Sequence, residues 1–424
     1  MKKFLETYLV VQFIIFFQYT VFFLKPFGIG LESELGRVLS TIITLFFFVS
    51  SLYFSLMYWQ DVRYIVRKTP LLNVLLLCCA LSVAWSMLPL NGTNKLVNLT
   101  LQLAQVLSII AISARWRLNL YTLMRVAAGV AVSLNFAYYL LSPAGALSKT
   151  LGESGRYECL LTQPNSLGQL CAITYILWLP LSFREIRFRH IAVIALSLYC
   201  LLLSGSSTSL LIVIIASLIR LLYVFRHNAL RLPVTVCALL LIGFSFFGTA
   251  NIFNSINRDT TLTGRTFIWG YALQEIQNDD KIVFGYGLGG FWDPTGNRKH
   301  TDDMLNSFMQ VHNGYLETYL QLGYMGAILL LLLLIHSIVL IWRNRSDPLY
   351  ANLCLVLIAI LISNVSESSF IAGKHPYWLL FSLLYSVLAT RFVVTPSYAT
   401  VATNRKHPSS FTSIQHQSPV LLTQ

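Results

Sequence analysis

Residues 315–342 read YLETYLQLGYMGAILLLLLLIHSIVLIW and run into Arg343 and Arg345. A stretch of this kind exceeds the ~20 apolar residues that cross a hydrocarbon core about 30 Å thick. It is continuous, which excludes a β-barrel, whose strands alternate over about 10 residues. Comparable segments recur on both sides, roughly at 7–24, 38–58, 70–90, 96–114, 118–141, 164–182, 191–204, 206–225, 232–250, 349–363 and 376–394, twelve in all with 315–342. The seventh and eleventh are short, and only Gly205 and its neighbours part the seventh from the eighth. No internal repeat of the inverted-transporter kind is visible.

Composition agrees. Of 424 residues, 56% are hydrophobic and 11% charged, with mean hydropathy +0.65. Soluble domains carry about 25% charged residues, so a soluble enzyme, a disordered chain and a disulfide scaffold are all excluded. The expected fold is all-α: a polytopic integral membrane protein of about twelve transmembrane helices. The seven cysteines, at 78, 79, 159, 171, 200, 237 and 354, show no pairing or metal-ligand spacing and read as small buried side chains. Met1-Lys2-Lys3 precedes an apolar run with no small-residue cleavage site, which reads as a retained first span.

The net charge of +13 reflects orientation rather than nucleic-acid binding. With the N-terminus inside, the inner loops hold 13 Lys and Arg residues, among them Arg63, Arg67, Lys68, Arg187 and Arg189, and the short outer loops hold six. That is the sign of the positive-inside rule, and it places both termini in the cytoplasm. Arg125 is the one charge well inside a span and is expected to snorkel. The chain divides into an N-terminal bundle of about nine spans (1–250), a polar outer loop (251–314), C-terminal helices (315–394) and a disordered cytoplasmic tail (395–424). A second outer loop covers 142–163. Loops as long as 251–314 are usually functional or disordered, and its many aromatic residues argue against disorder.

Three stretches of the outer loop carry chemistry. Thr263 fits an N-cap, and 265–277 then reads as an amphipathic helix with Ile268, Ala272 and Ile276 on one face. Arg265 in its first turn suits a bound anion, or else is solvated or paired with an acid. Gly285-Tyr286-Gly287-Leu288-Gly289-Gly290-Phe291-Trp292 has G-x-G-x-x-G spacing, but no βαβ unit fits here, so a dinucleotide site is rejected. The glycines are either a tight turn or a flexible floor whose aromatic walls, with Trp269, suit sugar rings. His312-Asn313-Gly314-Tyr315-Leu316-Glu317 places His312 at the membrane–water boundary, as a structural residue or as a base. Glu317 and Glu367 lie at the outer mouths of spans, where an acid is a functional candidate or a solvated helix end.

Together these stretches resemble the O-antigen ligase and polymerase superfamily, in particular its exopolysaccharide-polymerase branch. Leu322-Gly323, Gln163-Pro164-Asn165-Ser166-Leu167-Gly168 and Ser204-Gly205-Ser206-Ser207-Thr208-Ser209 extend the likeness over roughly 150–390, although the family often has a basic residue where Ser207 stands. The resemblance implies a GT-C-like glycosyltransferase of the bacterial inner membrane. Such an enzyme uses undecaprenyl-diphosphate-linked glycans on the periplasmic face, by an inverting reaction without metal or other cofactor, and the sequence shows no paired-aspartate motif. Its acceptor is a glycan or a lipid-linked species, its medium is the bilayer, and polysaccharide export machinery is a candidate partner.

An acceptor hydroxyl would attack the anomeric carbon as lipid diphosphate leaves. Arg265 is expected to meet the diphosphate, with Arg156 as a second cation. His312 is the expected base, and Glu317 or Glu367 orients it or binds sugar hydroxyls. Trp269, Tyr286, Trp292 and Asn313 complete the expected substrate contacts. The expected activity is polymerisation of lipid-linked repeats. The alternatives are ligation onto a lipid A-core or other acceptor, which shares the donor chemistry, and transport, which would want more ionisable groups near the midplane than Arg125.

Overall fold

The computed structural model describes residues 1–18, 22–27, 33–148, 155–180, 186–224, 265–292, 309–345 and 348–390. These are helical throughout, apart from turns and one isolated bridge between Leu147 and Tyr157. The helices are α1 (Lys2–Gln18), α2 (Glu34–Met57), α3 (Trp59–Lys68), α4 (Pro70–Ser82), α5 (Pro89–Arg115), α6 (Leu120–Leu141), the single turn α7 (Pro143–Ala146), α8 (Pro164–Trp178), α9 (Phe188–Ser204), α10 (Ser207–Val224), α11 (Arg265–Asn278), α12 (Gly314–Arg343), α13 (Pro348–Ser366) and α14 (Pro376–Thr390). Each apolar segment that falls on described residues coincides with a helix. The segment 232–250, Cys237, Thr263, the ends of the 251–314 loop and the tail from 395 lie outside the described residues.

Five of these helices are long and apolar enough to cross a membrane: α2, α5, α6, α12 and α13. A sixth span arises if α3 and the 70–85 segment, bent by 89°, count as one. Helices α9, α10 and α14 are apolar but shorter. Sequence reasoning treated 59–69 as an inner loop. It is instead α3, whose Val62 and Ile65 are buried while Arg63, Arg67 and Lys68 are exposed. Pro70 at the first position of α4 breaks the run, because it has no N–H for a continuing helix.

Local rules explain the ends. Ser33 caps α2 by accepting the Gly36 N–H at 3.0 Å, and Asn119 caps α6 by accepting that of Thr122 at 3.0 Å. Gly205, with φ 58°, closes α9 in the left-handed conformation. The first helix is described over Lys2–Gln18, and a 3-10 turn with Pro26 at Phe22–Phe27 takes the end of the segment expected to reach 24. In α1 the stripe Leu5, Leu9, Phe13 and Phe17 is buried, as i, i+4 spacing requires. All six cysteines on described residues are free; Cys78, Cys79, Cys159, Cys171 and Cys200 are buried and Cys354 is partly so.

The apolar run at 315–342 is not a simple helix. Gly323 has φ 62° and ψ −160°, which breaks α12 inside an otherwise unbroken apolar run. The glycine-rich segment docks into that break. Tyr324 and Met325 donate their N–H groups to the carbonyls of Ile282 (3.0 Å) and Val283 (3.3 Å). In the other direction, Tyr286 N–H reaches the Leu320 carbonyl at 2.9 Å and Gly289 N–H reaches Gln321 Oε1 at 3.1 Å. The groups freed by the break are therefore satisfied by the loop. Gly287, φ 80°, lies against the backbone of Ser86, where a Cβ would strike the Ser86 Cα. Ser82 and Ser86 hold Leu288 by its N–H and carbonyl, both at 3.0 Å. The glycines thus serve close backbone approach.

Candidate functional site

Above the main helical core sits a second apolar cluster of Ile268, Ala272, Ile276, Tyr286, Phe291, Trp292, Val311 and Leu320. It joins α11, the glycine segment and the start of α12, so the loop has a core of its own. Ile268, Ala272 and Ile276 form the buried face expected of α11. This cluster fixes Arg265, the first residue of α11, and His312, two residues before α12. Asn313 caps α12: its Oδ1 accepts from Tyr315 N–H and Leu316 N–H, both at 3.0 Å. Its own N–H donates to Ser368 Oγ at 3.1 Å, tying the loop to the segment after α13. His312 has φ 52°, unusual for a residue with a Cβ; such backbone strain concentrates at functional sites.

Glu367, just beyond α13, is where the separate segments meet. Arg265 Nη2 lies 3.3 Å from Glu367 Oε1, and Arg265 Nη1 donates to the Ser366 carbonyl. Asn165 Nδ2, from the first turn of α8, donates to the same Oε1 at 2.8 Å. Arg156 Nη2 donates to Asn165 Oδ1 at 2.6 Å and its Nε to the Ser204 carbonyl at 2.9 Å. On the other carboxylate oxygen, Oε2, His312 Nδ1 stands at 3.7 Å. That Nδ1 is buried and has no hydrogen-bond partner, and 3.7 Å to the carboxylate is too long for a bond.

Burial alone would raise the Glu367 carboxyl. His312 and Arg265 outweigh it, with His375 adding to them, and hold the group below its ordinary value of 4.5. Glu367 is therefore a carboxylate at neutral pH. A carboxylate only accepts, so closing the 3.7 Å gap would put the proton of a neutral His312 on Nδ1 and leave the Nε2 lone pair free.

The other expected residues are placed differently. Glu317 is 5% exposed, and three donors surround its carboxylate: Trp292 Nε1 at 3.0 Å, Val311 N–H at 3.4 Å and Gln321 Nε2 at 2.8 Å. It braces the loop core and does not touch His312. Tyr286 and Trp292 are 0% and 3% exposed, so their rings face the loop's own core. The Tyr286 hydroxyl donates to Asp279 Oδ2 at 2.8 Å. Trp269 is partly buried and donates Nε1 to the Val311 carbonyl at 2.8 Å, directly beside His312.

Two residues at the centre had no expected role. Asn165 belongs to the Gln163–Gly168 motif; its signal is a polar side chain directly after the Pro164 that opens α8. His375 precedes Pro376 at the mouth of α14. Its Nδ1 accepts the Tyr377 N–H at 3.2 Å, and its carbonyl accepts from Gln102 Nε2 at 3.2 Å. Desolvation drives its ring down to about 4 against the opposing pull of Glu367, so it is neutral near pH 7.

An all-helical bundle with several apolar spans, carrying cations, an imidazole and a carboxylate together beside a compact loop core, is a multi-pass membrane protein with a polar site at one end. Residues 192–331 match the family described as O-antigen ligase. This match, over about a third of the chain, supports the O-antigen ligase/polymerase superfamily. The matched segment takes in Arg265, the glycine turn, His312 and Glu317, whereas Arg156, Asn165 and Glu367 come from outside it. Among curated proteins, none matches the chain.

Proposed function

We propose that the protein polymerises undecaprenyl-diphosphate-linked oligosaccharide repeats on the periplasmic face of the inner membrane, as an inverting glycosyltransferase that needs no metal. The observation that carries this reading is the meeting of Arg265, His312 and the Arg156–Asn165 pair at Glu367, from four separate parts of the chain. In one displacement the acceptor oxygen bonds to the anomeric carbon and the bond from that carbon to the diphosphate oxygen breaks. The electron pair leaves with the lipid diphosphate, and the acceptor proton passes to His312 Nε2.

Glu367 holds the His312 tautomer and stabilises the imidazolium that forms. Among the described residues Arg265 donates to Glu367 and Ser366, and its guanidinium also serves the leaving diphosphate, with Arg156 as a second cation. Trp269 offers the sugar-facing ring. Asn313 sets the backbone at His312. Tyr286, Trp292 and Glu317 act on substrate through the loop they hold in shape.

The test is incubation of the purified protein with lipid-linked repeat units and no other acceptor. A ladder of lengths supports polymerisation. A single transferred unit that appears only when a lipid A-core acceptor is added would replace it with ligation.

A further inference from the structure

Arg125 is the only charged residue in α6, and it lies in the helix's second turn. Its guanidinium stands over the Trp178 ring at 5.2 Å, and Trp178 Nε1 donates to the Arg125 carbonyl at 2.8 Å. His190, buried in the first turn of α9, meets the same indole edge-on at 5.6 Å. The His190 Nδ1 takes the Arg187 N–H at 3.3 Å, and the fields of Arg125, Arg189 and Arg187 all reach its ring. Arg187 and Arg189 are exposed, with the exposed Phe188 between them.

No carboxylate among the described residues pairs with any of these three arginines. Glu185, the nearest acid in sequence, lies outside the described residues. Arg125 Nε is buried and has no hydrogen-bond partner. Among the described residues, no anion answers this stacked guanidinium, its buried N–H or the two exposed arginines next to His190. Trp178 closes the helix that Asn165 opens, and thirteen residues at 1.5 Å each put this cluster about 20 Å from the His312–Glu367 site. It is therefore not part of that site.

The surroundings choose the anion. Ile186, Phe188 and Ile191 are exposed and apolar around Arg187 and Arg189, as are Val126 and Val130 on α6. That rim suits acyl chains, which free phosphate does not have. The geometry points to a binding site for the phosphodiester head of an anionic glycerophospholipid, formed by Arg125, Arg187 and Arg189 with Trp178 as the platform. A zwitterionic lipid offers the same phosphate but brings an ammonium group towards three guanidiniums, so the site discriminates between the two.

The test uses the full chain, purified and delipidated, titrated with phosphatidylglycerol or phosphatidylcholine, with binding read by native mass spectrometry and by melting temperature. Phosphatidylglycerol should bind and raise the melting temperature, and phosphatidylcholine should do so far less. Arg125→Gln should weaken phosphatidylglycerol binding roughly tenfold. The double variant Arg187→Gln/Arg189→Gln changes only exposed side chains, so it should fold normally and weaken binding by a similar factor. Equal binding of the two lipids, or unchanged affinity in the double variant, would overturn the proposal. So would equal stabilisation by inorganic phosphate alone, which would mean a soluble-anion site.

Discussion

Replacing Glu367 by Gln is nearly isosteric, yet it should abolish most activity while leaving the protein folded. The reason lies in which groups face each carboxylate oxygen. Oε1 receives Asn165 Nδ2 at 2.8 Å and Arg265 Nη2 at 3.3 Å, both of which can only donate there. The Gln carbonyl must take that side, because an amide NH₂ would meet two donors. The NH₂ then faces His312 Nδ1, 3.7 Å away in the wild type, and favours the tautomer in which Nδ1 accepts. The ring proton moves to Nε2, the atom proposed to take the acceptor proton. Losing the base in this way should lower turnover by about 10²–10⁴. The lost charge–hydrogen-bond strength should lower stability by about 1–3 kcal/mol. Turnover of lipid-linked donor and a melting curve on the same preparation separate the two effects. A folded Glu367→Gln protein within about threefold of wild-type turnover would refute the link between Glu367 and His312.

Further predictions follow from the same geometry. Because Glu367 is held below 4.5, its contribution to stability is fully present above that value and is lost as pH falls through its lower folded value. The melting gap between wild type and Glu367→Gln should therefore shrink as pH falls below about 4.5; a gap undiminished there would contradict this. Arg265→Lys keeps the charge but loses the planar fork, so a large loss of activity is expected, with Arg265→Ala at least as damaging. Wild-type activity in Arg265→Ala at equal expression would remove its diphosphate role. Gly287→Ala should destabilise by about 1–3 kcal/mol or prevent folding, because φ is 80° and the new Cβ meets the Ser86 backbone. Normal melting of that variant would refute the docking of the glycine segment on α4–α5. A reporter fused near residue 280 should report the periplasm and one near 187 the cytoplasm; a cytoplasmic signal at 280 would separate the site from its substrate.

The helical, apolar character was readable because long apolar runs have few other uses, although five or six rather than twelve of the helices described are long and apolar enough to span. Helix α3 was not, since ten residues with Arg63, Arg67 and Lys68 among them look like a charged loop until Val62 and Ile65 are seen to be buried. The break at Gly323 is hidden by the apolar run that continues through it, and only the 282–289 segment, distant in sequence, makes it possible. The aromatic residues of that segment look like sugar walls for the same reason they make a core: a loop that must stay ordered outside the bundle needs apolar bulk of its own. Arg265 and His312 could each be singled out by residue type and position. Their convergence could not, because it passes through Glu367 and Asn165, each on a different helix end, and sequence separation carries no information about such contacts.

The central claim, that His312 accepts the proton as lipid diphosphate departs, is tested most directly by measuring lipid diphosphate release from a purified lipid-linked repeat by wild type and His312→Gln side by side. The account predicts steady release by the wild type, and release lower by about 10²–10⁴ in a His312→Gln protein that still binds donor. Near wild-type release by a well-folded His312→Gln protein would contradict it.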